Sequence, residues 1–170
     1  AADISSEKVD LNFVNPQTGP FYVEGAEPGD TLALHIADLT PARSYGASAT
    51  IPFFGGLTST DRTAFLQDPL PDTTWIYHVD SARNTVGFSA RFGDFEVALP
   101  GTVGVAPPGG EVRSSLVPER FGGNMDAPDV KAGTTVYLGV NREGALFSIG
   151  DGHYRQGEGE DAFIDLCRGP

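Results

Sequence analysis

Cysteine is almost absent from this sequence, with Cys167 the only one among 170 residues. A lone cysteine forms no disulfide within the chain and provides no thiolate metal cluster, so we expect a free thiol in a reducing compartment. Long apolar runs are also missing, because no stretch approaches the ~18 residues of a membrane-spanning helix. The polar residues 1–10 lack the basic and apolar regions of a secretion signal. These absences favour a cytoplasmic protein that does not span a membrane.

Positive charge is scarce as well, because 11 Lys and Arg residues face 23 Asp and Glu residues, for a formal net charge of −12. Proteins bind nucleic acid mainly by neutralising phosphates with Lys and Arg, so this composition argues against a nucleic-acid partner. An anionic membrane surface is disfavoured for the same reason. Small neutral substrates and metal cations are compatible with the charge.

Signatures of several catalytic classes are missing. The sequence has no G-x-S-x-G nucleophile elbow, so serine catalysis finds no support. It also has no Gly-rich phosphate loop of the required spacing followed by a helix. His35 lies on the less apolar face of its predicted strand, and His78 follows Trp75-Ile76-Tyr77. Both are expected to be structural rather than metal ligands.

Short apolar runs separated by 22 glycines and 13 prolines are typical of strands joined by turns. In several runs apolar residues alternate with other residues, a period of two that predicts strands with one buried face. The predicted strands are Thr31–Asp38, Val86–Phe92, Phe95–Leu99, Val136–Val140 and Ala145–Ile149. Gly93-Asp94 is a hairpin signal between two of them. Short helices are predicted only at Ser59–Gln67 and Asp161–Arg168.

This pattern predicts a mainly β fold, with a β-sandwich or jelly-roll-like body and few short helices. No internal repeat divides the sequence, and 170 residues suit one ordinary domain. We therefore expect a single domain over residues 1–170.

The densest polar stretch, residues 150–160, directly follows a predicted strand, and its four glycines let the backbone fold tightly and approach a ligand. Asp151 and His153 are two apart and share a face if the strand continues, and Glu158 and Glu160 stand in the same relation. Imidazole and carboxylate are ligands of a catalytic divalent metal, which lowers the pKa of a water whose proton a nearby carboxylate accepts. The oxygen-rich part also suits a calcium-like ion. A solvated acidic turn explains the same residues.

A second polar segment, Phe121–Asp126, also contains adjacent glycines, which allow a close approach of the backbone to a ligand. Asn124 is suited to capping or to holding a substrate amide, and Asp126 to acting as a metal ligand or a base. The competing interpretation is a plain loop whose side chains bond their own backbone.

Four ordered motifs resemble the acetamidase/formamidase family. Asn15–Leu32 reads NPQTGPFYVEGAEPGDTL and resembles the family signature with PxTGP followed by VEGAEPGD. Gly101–Pro107 is similar to its GxxGVAP motif, and Gly122–Asp126 matches its GGNMD motif. Residues 144–160 match its GALFxxGDxHxxQGxGE motif. Because these four motifs occur in order between Asn15 and Glu160, the chain resembles a member of this family.

The resemblance implies a β-rich fold that hydrolyses short amides such as formamide and acetamide to a carboxylate and ammonia. It also implies a homo-oligomer with a bound divalent metal, for which zinc is the first candidate and calcium the second. By motif match, the resemblance places Asp126, Asp151, His153, Gln156 and Glu160 at the site. The roles that we expect are metal ligands for Asp126, Asp151 and His153, catalytic residues for Glu160, Glu158 and Asp151, and substrate-binding residues for Asn124 and Gln156. In the expected mechanism a glutamate accepts the proton of the attacking water while Asn124 orients the amide.

The chain also departs from the family pattern. Members typically have a segment before VEGAEPGD that is missing here, Val97–Gly101 is abbreviated, and Asp161–Pro170 does not continue the pattern. We therefore expect a shortened member, or missing segments near residues 100 and 160. A shortened chain keeps an alternative open, namely a noncatalytic β-sandwich module that retains a structural ion- or ligand-binding site.

Overall fold

The computed structural model describes residues 15–53, 59, 62, 68–89, 91–96 and 99–155. Its strands are β1 (Gln17–Phe21), β2 (Thr31–His35), β3 (Tyr45–Thr50), β4 (Thr73–Asp80), β5 (Thr85–Ser89), β6 (Gly93–Glu96), β7 (Leu99–Gly104), β8 (Gly122–Asn124), β9 (Thr135–Gly139) and β10 (Phe147–His153). One 3-10 turn, Pro108–Gly110, is the only helical element among the described residues. The prediction of a mainly β fold is confirmed, while its sandwich or jelly-roll arrangement stays a prediction.

Both predicted helices fall on residues that the structure does not describe, apart from Ser59 and Arg62. Cys167 also lies outside the described residues. Within the described part of the chain, no helix is long and apolar enough to cross a membrane.

The described strands divide between two compact units. One contains β3–β6, and the other contains β1, β2 and β7–β9 together with β10 up to Gly152. Strand β10 continues without a break from Gly152 to His153. The expectation of one domain over residues 1–170 stays a prediction.

In the first unit, β3–β6 form an antiparallel sheet in chain order. The hairpin predicted around Gly93-Asp94 is present as the β5–β6 pair, in which Val86 faces Phe95. Its turn lies earlier than predicted, because β5 ends at Ser89 and Gly93 begins β6 with a φ of 74°. Ser89 pairs with Gly93, and the Phe92 N–H donates to the Ser89 carbonyl oxygen at 3.2 Å, so the chain reverses before Gly93.

The second unit contains a four-stranded sheet in the order β1-β10-β7-β8 and a two-stranded sheet, β2-β9. The alternation predicted for β2 is observed, since Leu32 and Leu34 pack against the core while Thr31, Ala33 and His35 are exposed. The core of this unit consists of Ile36, Val103, Val105, Phe121, Val130, Leu138, Val140 and Ala145. Its burial supplies the hydrophobic free energy that holds β7 and β9 in place.

Candidate metal centre

Three of the predicted site residues come together around one point. Asp126, Asp151 and His153 each offer a ligand atom, and these atoms all lie within 4.8 Å of one another. The side chains are deeply buried, with exposed fractions of 4%, 4% and 2% respectively. Asp126 follows β8, whereas Asp151 and His153 are on β10, so the cluster joins the two glycine-rich segments of the sequence.

Strand β10 presents two of these side chains on one side. The strand continues through His153, as the sequence required for Asp151 and His153 to share a face. Both residues are buried, and Gly152 between them is exposed. Asp151 has a φ of 53°, and its backbone N–H donates to the Pro16 carbonyl oxygen at 2.8 Å. Asp tolerates this left-handed conformation better than most residues. The hydrogen bond therefore anchors Asp151, a candidate ligand on β10, to the chain just before β1.

Glycine at position 150 permits this anchoring. Gly150 is opposite Gln17 in the β1–β10 pair, and a Cβ added to it would lie 2.6 Å from the Gln17 Cα and would also collide with the Pro16 carbonyl oxygen. The sequence predicted that glycines here allow the backbone to approach a ligand. At Gly150 the close neighbour is instead the backbone of the adjoining strand.

Asp126 is held by both its backbone and its side chain. It has a φ of 45°, and its N–H donates to the Gly101 carbonyl oxygen at 3.1 Å. The Asn124 Nδ2 group donates to Asp126 Oδ2 at 2.9 Å. The Asp126 side chain therefore accepts a hydrogen bond from β8, and its backbone N–H donates one to β7.

Two residues without a predicted role extend this arrangement. Thr102 Oγ1 lies 2.8 Å from Asn124 Oδ1 and 2.9 Å from Asn15 Oδ1, and Asn15 Nδ2 donates to the Ser115 carbonyl oxygen at 3.0 Å. Thr102 and Asn15 are buried. Both stand inside the motifs that carry the family resemblance, but neither is acidic or a usual metal ligand, so residue type alone did not single them out.

The other predicted site residues have different outcomes. Asn124 lies beside Asp126, with its amide engaged as described above, while Gln156, Glu158 and Glu160 are outside the described residues. His35 and His78 are exposed, and His35 Nδ1 is 3.0 Å from Thr135 Oγ1. Their structural role stays a prediction.

A cavity of about 520 Å³ lies in the second unit, beside the hydrogen-bonded residues Thr102 and Asn124. Thr102 and Gly123 line it together with apolar residues that include Val105, Phe121 and Leu146. Asp126, Asp151 and His153 are not among the lining residues. The cavity therefore borders residues that support the cluster rather than the candidate ligands.

The donor set fits a divalent cation. Ligand atoms at ~2.0–2.6 Å from one ion are about 3.3–5.2 Å apart, from tetrahedral neighbours to opposite positions, so atoms that all lie within 4.8 Å of one another are compatible with a shared ion. Burying two carboxylates together without a cation is unfavourable, because each charge loses hydration and repels the other. Two carboxylates and an imidazole match the ligand types of catalytic zinc, and the oxygens also suit calcium.

The fold and the buried donor set define a mainly β protein with a candidate metal centre. The family model for the Acetamidase/Formamidase family matches residues 1–109 and 105–167, so the chain belongs to this family.

Individual relatives agree with this assignment. In an alignment 210 positions long, the chain is 27% identical to the acetamidase of Mycolicibacterium smegmatis, and the match covers 94% of this chain and 51% of that protein. It is 27% identical to the formamidase of Methylophilus methylotrophus over 203 residues, covering 91% and 49%. The crystal structure of the acetamidase from Yersinia enterocolitica matches with a TM-score of 0.79 and 39% identity, covering 96% of this chain and 51% of that one. The chain thus spans about half the length of these relatives.

Proposed function

We propose that this chain carries a metal-assisted site that hydrolyses short linear amides, of the formamide and acetamide type, to a carboxylate and ammonia. The supporting observation is the convergence of Asp126 with Asp151 and His153, whose ligand atoms lie within 4.8 Å of one another. The reaction class follows from the relatives, which are named acetamidase and formamidase.

In this proposal Asp126, Asp151 and His153 hold the divalent cation, with zinc as the first candidate and calcium as the second. When bound, the ion supplies Lewis-acid polarisation of the amide carbonyl and lowers the pKa of an adjacent water molecule. The burial of all three side chains excludes bulk water, which strengthens each charge interaction in the cluster.

The remaining site residues move protons and orient the substrate. Glu160, Glu158 or Asp151 accepts a proton as the water oxygen bonds to the carbonyl carbon. The same carboxyl group then returns this proton to the amide nitrogen, the C–N bond breaks, and ammonia leaves. Gln156 and Asn124 orient the amide, since Asn124 retains one N–H and one lone pair beyond its bonds to Asp126 and Thr102.

The family resemblance supports a homo-oligomer, and the lone cysteine supports a cytoplasmic location. Size-exclusion chromatography with light scattering checks the first of these proposals, and cell fractionation checks the second.

The test combines metal analysis with ammonia release from formamide and acetamide. We expect His153→Ala to lose both bound metal and activity. Glu160→Gln should retain the metal while its rate falls by roughly 10²–10⁴-fold, the usual contribution of a general base. Ser48→Ala is a matched control, because Ser48 is a buried polar residue that bonds Tyr77 and is not part of the cluster.

Wild-type ammonia release in both His153→Ala and Glu160→Gln would contradict the proposal. Bound metal in the wild-type protein without ammonia release from either amide would instead support the noncatalytic module that keeps a structural ion site.

A further inference from the structure

We infer that Thr102 and Asn124 are positioning residues that orient the Asp126 carboxylate for cation binding, an inference that rests on the proposed function. The observation is the hydrogen-bonded sequence from Thr102 Oγ1 to Asn124 Oδ1 at 2.8 Å and from Asn124 Nδ2 to Asp126 Oδ2 at 2.9 Å. These two hydrogen bonds connect β7 to β8, and β8 to the candidate ligand Asp126.

The orientation of the Asn124 amide is the central point. If the amide turned by 180°, its oxygen would face the Asp126 carboxylate and its NH₂ group would face Thr102 Oγ1. An amide oxygen and a carboxylate oxygen are both acceptors, so the turned amide would replace an attraction by a repulsion. The Asp126 carboxylate therefore selects the orientation that directs Nδ2 at it, and the Thr102 hydroxyl, which donates to the Asn124 oxygen in that orientation, holds the amide in place.

Thr102 is itself held at two points. It is on β7, opposite Asn124 in the β7–β8 pair, and only 1% of it is exposed. Its hydroxyl oxygen lies within hydrogen-bond distance of the amide oxygens of both Asn124 and Asn15, and Asn15 is anchored through Nδ2 to the Ser115 carbonyl oxygen. The Asp126 carboxylate is thus oriented from the interior of a sheet rather than by an exposed loop.

This arrangement has a measurable consequence for metal affinity. Residues that hydrogen-bond to metal ligands reduce the freedom of those ligands, and their loss typically weakens metal affinity or activity by ~10–100-fold. Thr102 has no acidic or basic group, and its hydroxyl bonds Asn124, which in turn bonds Asp126, so we expect its effect on metal affinity to pass through these two residues.

The experiment measures the Zn²⁺ dissociation constant by competition with a chromogenic chelator, together with the melting temperature of the metal-free protein. We expect Thr102→Val, which has the shape of threonine without the hydroxyl, to weaken Zn²⁺ binding by ~10–100-fold. Thr102→Ser, which restores the hydroxyl, should recover most of the affinity. Ser48→Ala removes a buried hydroxyl in the other unit and should leave it unchanged.

Asn124→Ala provides a second variant if Thr102→Val does not fold. A positioning role predicts a weaker Zn²⁺ affinity in the absence of substrate, whereas a role confined to substrate binding changes only the KM for the amide. Wild-type Zn²⁺ affinity in a folded Thr102→Val or Asn124→Ala protein overturns the inference while leaving the proposed function intact. A wild-type protein that binds neither Zn²⁺ nor Ca²⁺ overturns both.

Discussion

Replacing Gly150 by alanine is expected to destabilise the sheet that supports the candidate metal centre. The new Cβ would lie 2.6 Å from the Gln17 Cα and would collide with the Pro16 carbonyl oxygen. Carbon atoms in contact prefer a separation of ~3.5–4.0 Å, so β1 and β10 must separate locally by about 1 Å. The colliding atoms belong to the backbone, so a change of side-chain rotamer cannot relieve the contact.

The magnitude follows from two terms. Overpacking of this kind costs ~1–3 kcal/mol of folding free energy. Loss of the hydrogen bond from the Asp151 N–H to the Pro16 carbonyl oxygen, which is 2.8 Å long, adds ~0.5–1.5 kcal/mol. We expect a total of roughly 2–4 kcal/mol, which lowers the urea midpoint by about 1–2 M at a denaturant slope near 2 kcal/mol per M.

The assay is urea unfolding of the metal-free protein, followed by a Zn²⁺ titration of the folded variant. Gly139→Ala is the matched control, because Gly139 is also a strand glycine but no atom lies within 4 Å of its added Cβ. We expect that control to change stability by no more than ~1 kcal/mol. The reasoning is refuted if Gly150→Ala unfolds at the wild-type urea concentration, or if Gly139→Ala loses as much stability.

Two further predictions concern the core and the exposed charges. Val103→Ala should lower the free energy of unfolding by ~2–3 kcal/mol because Val103 is fully buried. Val112→Ala should change it by less than ~0.5 kcal/mol because Val112 is 96% exposed. Urea unfolding of the two variants measures both changes, and equal losses would contradict the core assignment. The Arg83 side chain, hydrogen-bonded to Asp80 at 2.7 Å, lowers the pKa of the Asp80 carboxyl. Its stabilising effect is therefore present above the ordinary Asp pKa of ~3.9 and is lost as the pH falls below it, so the difference in melting temperature between wild type and Asp80→Asn should shrink on acidification. A difference that stays constant from pH 6 to pH 3 would disagree with this assignment.

Local patterns in the sequence were sufficient for some strands and not for others. Leu32 and Leu34 alternate with exposed neighbours, and the structure has β2 at this position. Strand β3, Tyr45–Thr50, was not predicted, because its small residues show no apolar alternation. Ala47 and Ser48 are nevertheless buried, since β3 pairs along its whole length with β4. Pairing with a distant segment can bury small residues that have little hydrophobicity of their own.

Residue chemistry and motif resemblance selected Asp126, Asp151 and His153 from the sequence alone, because carboxylates and imidazoles are the side chains that bind divalent cations. They also indicated the family and the mainly β composition. Only the tertiary structure decided that these side chains meet, since β8 and β10 are brought together through their pairing with β7. Only the tertiary structure, likewise, revealed the hydrogen bonds of Thr102 and the backbone contact that requires glycine at position 150. These features depend on distances between segments far apart in the chain, which no local pattern of residue types encodes.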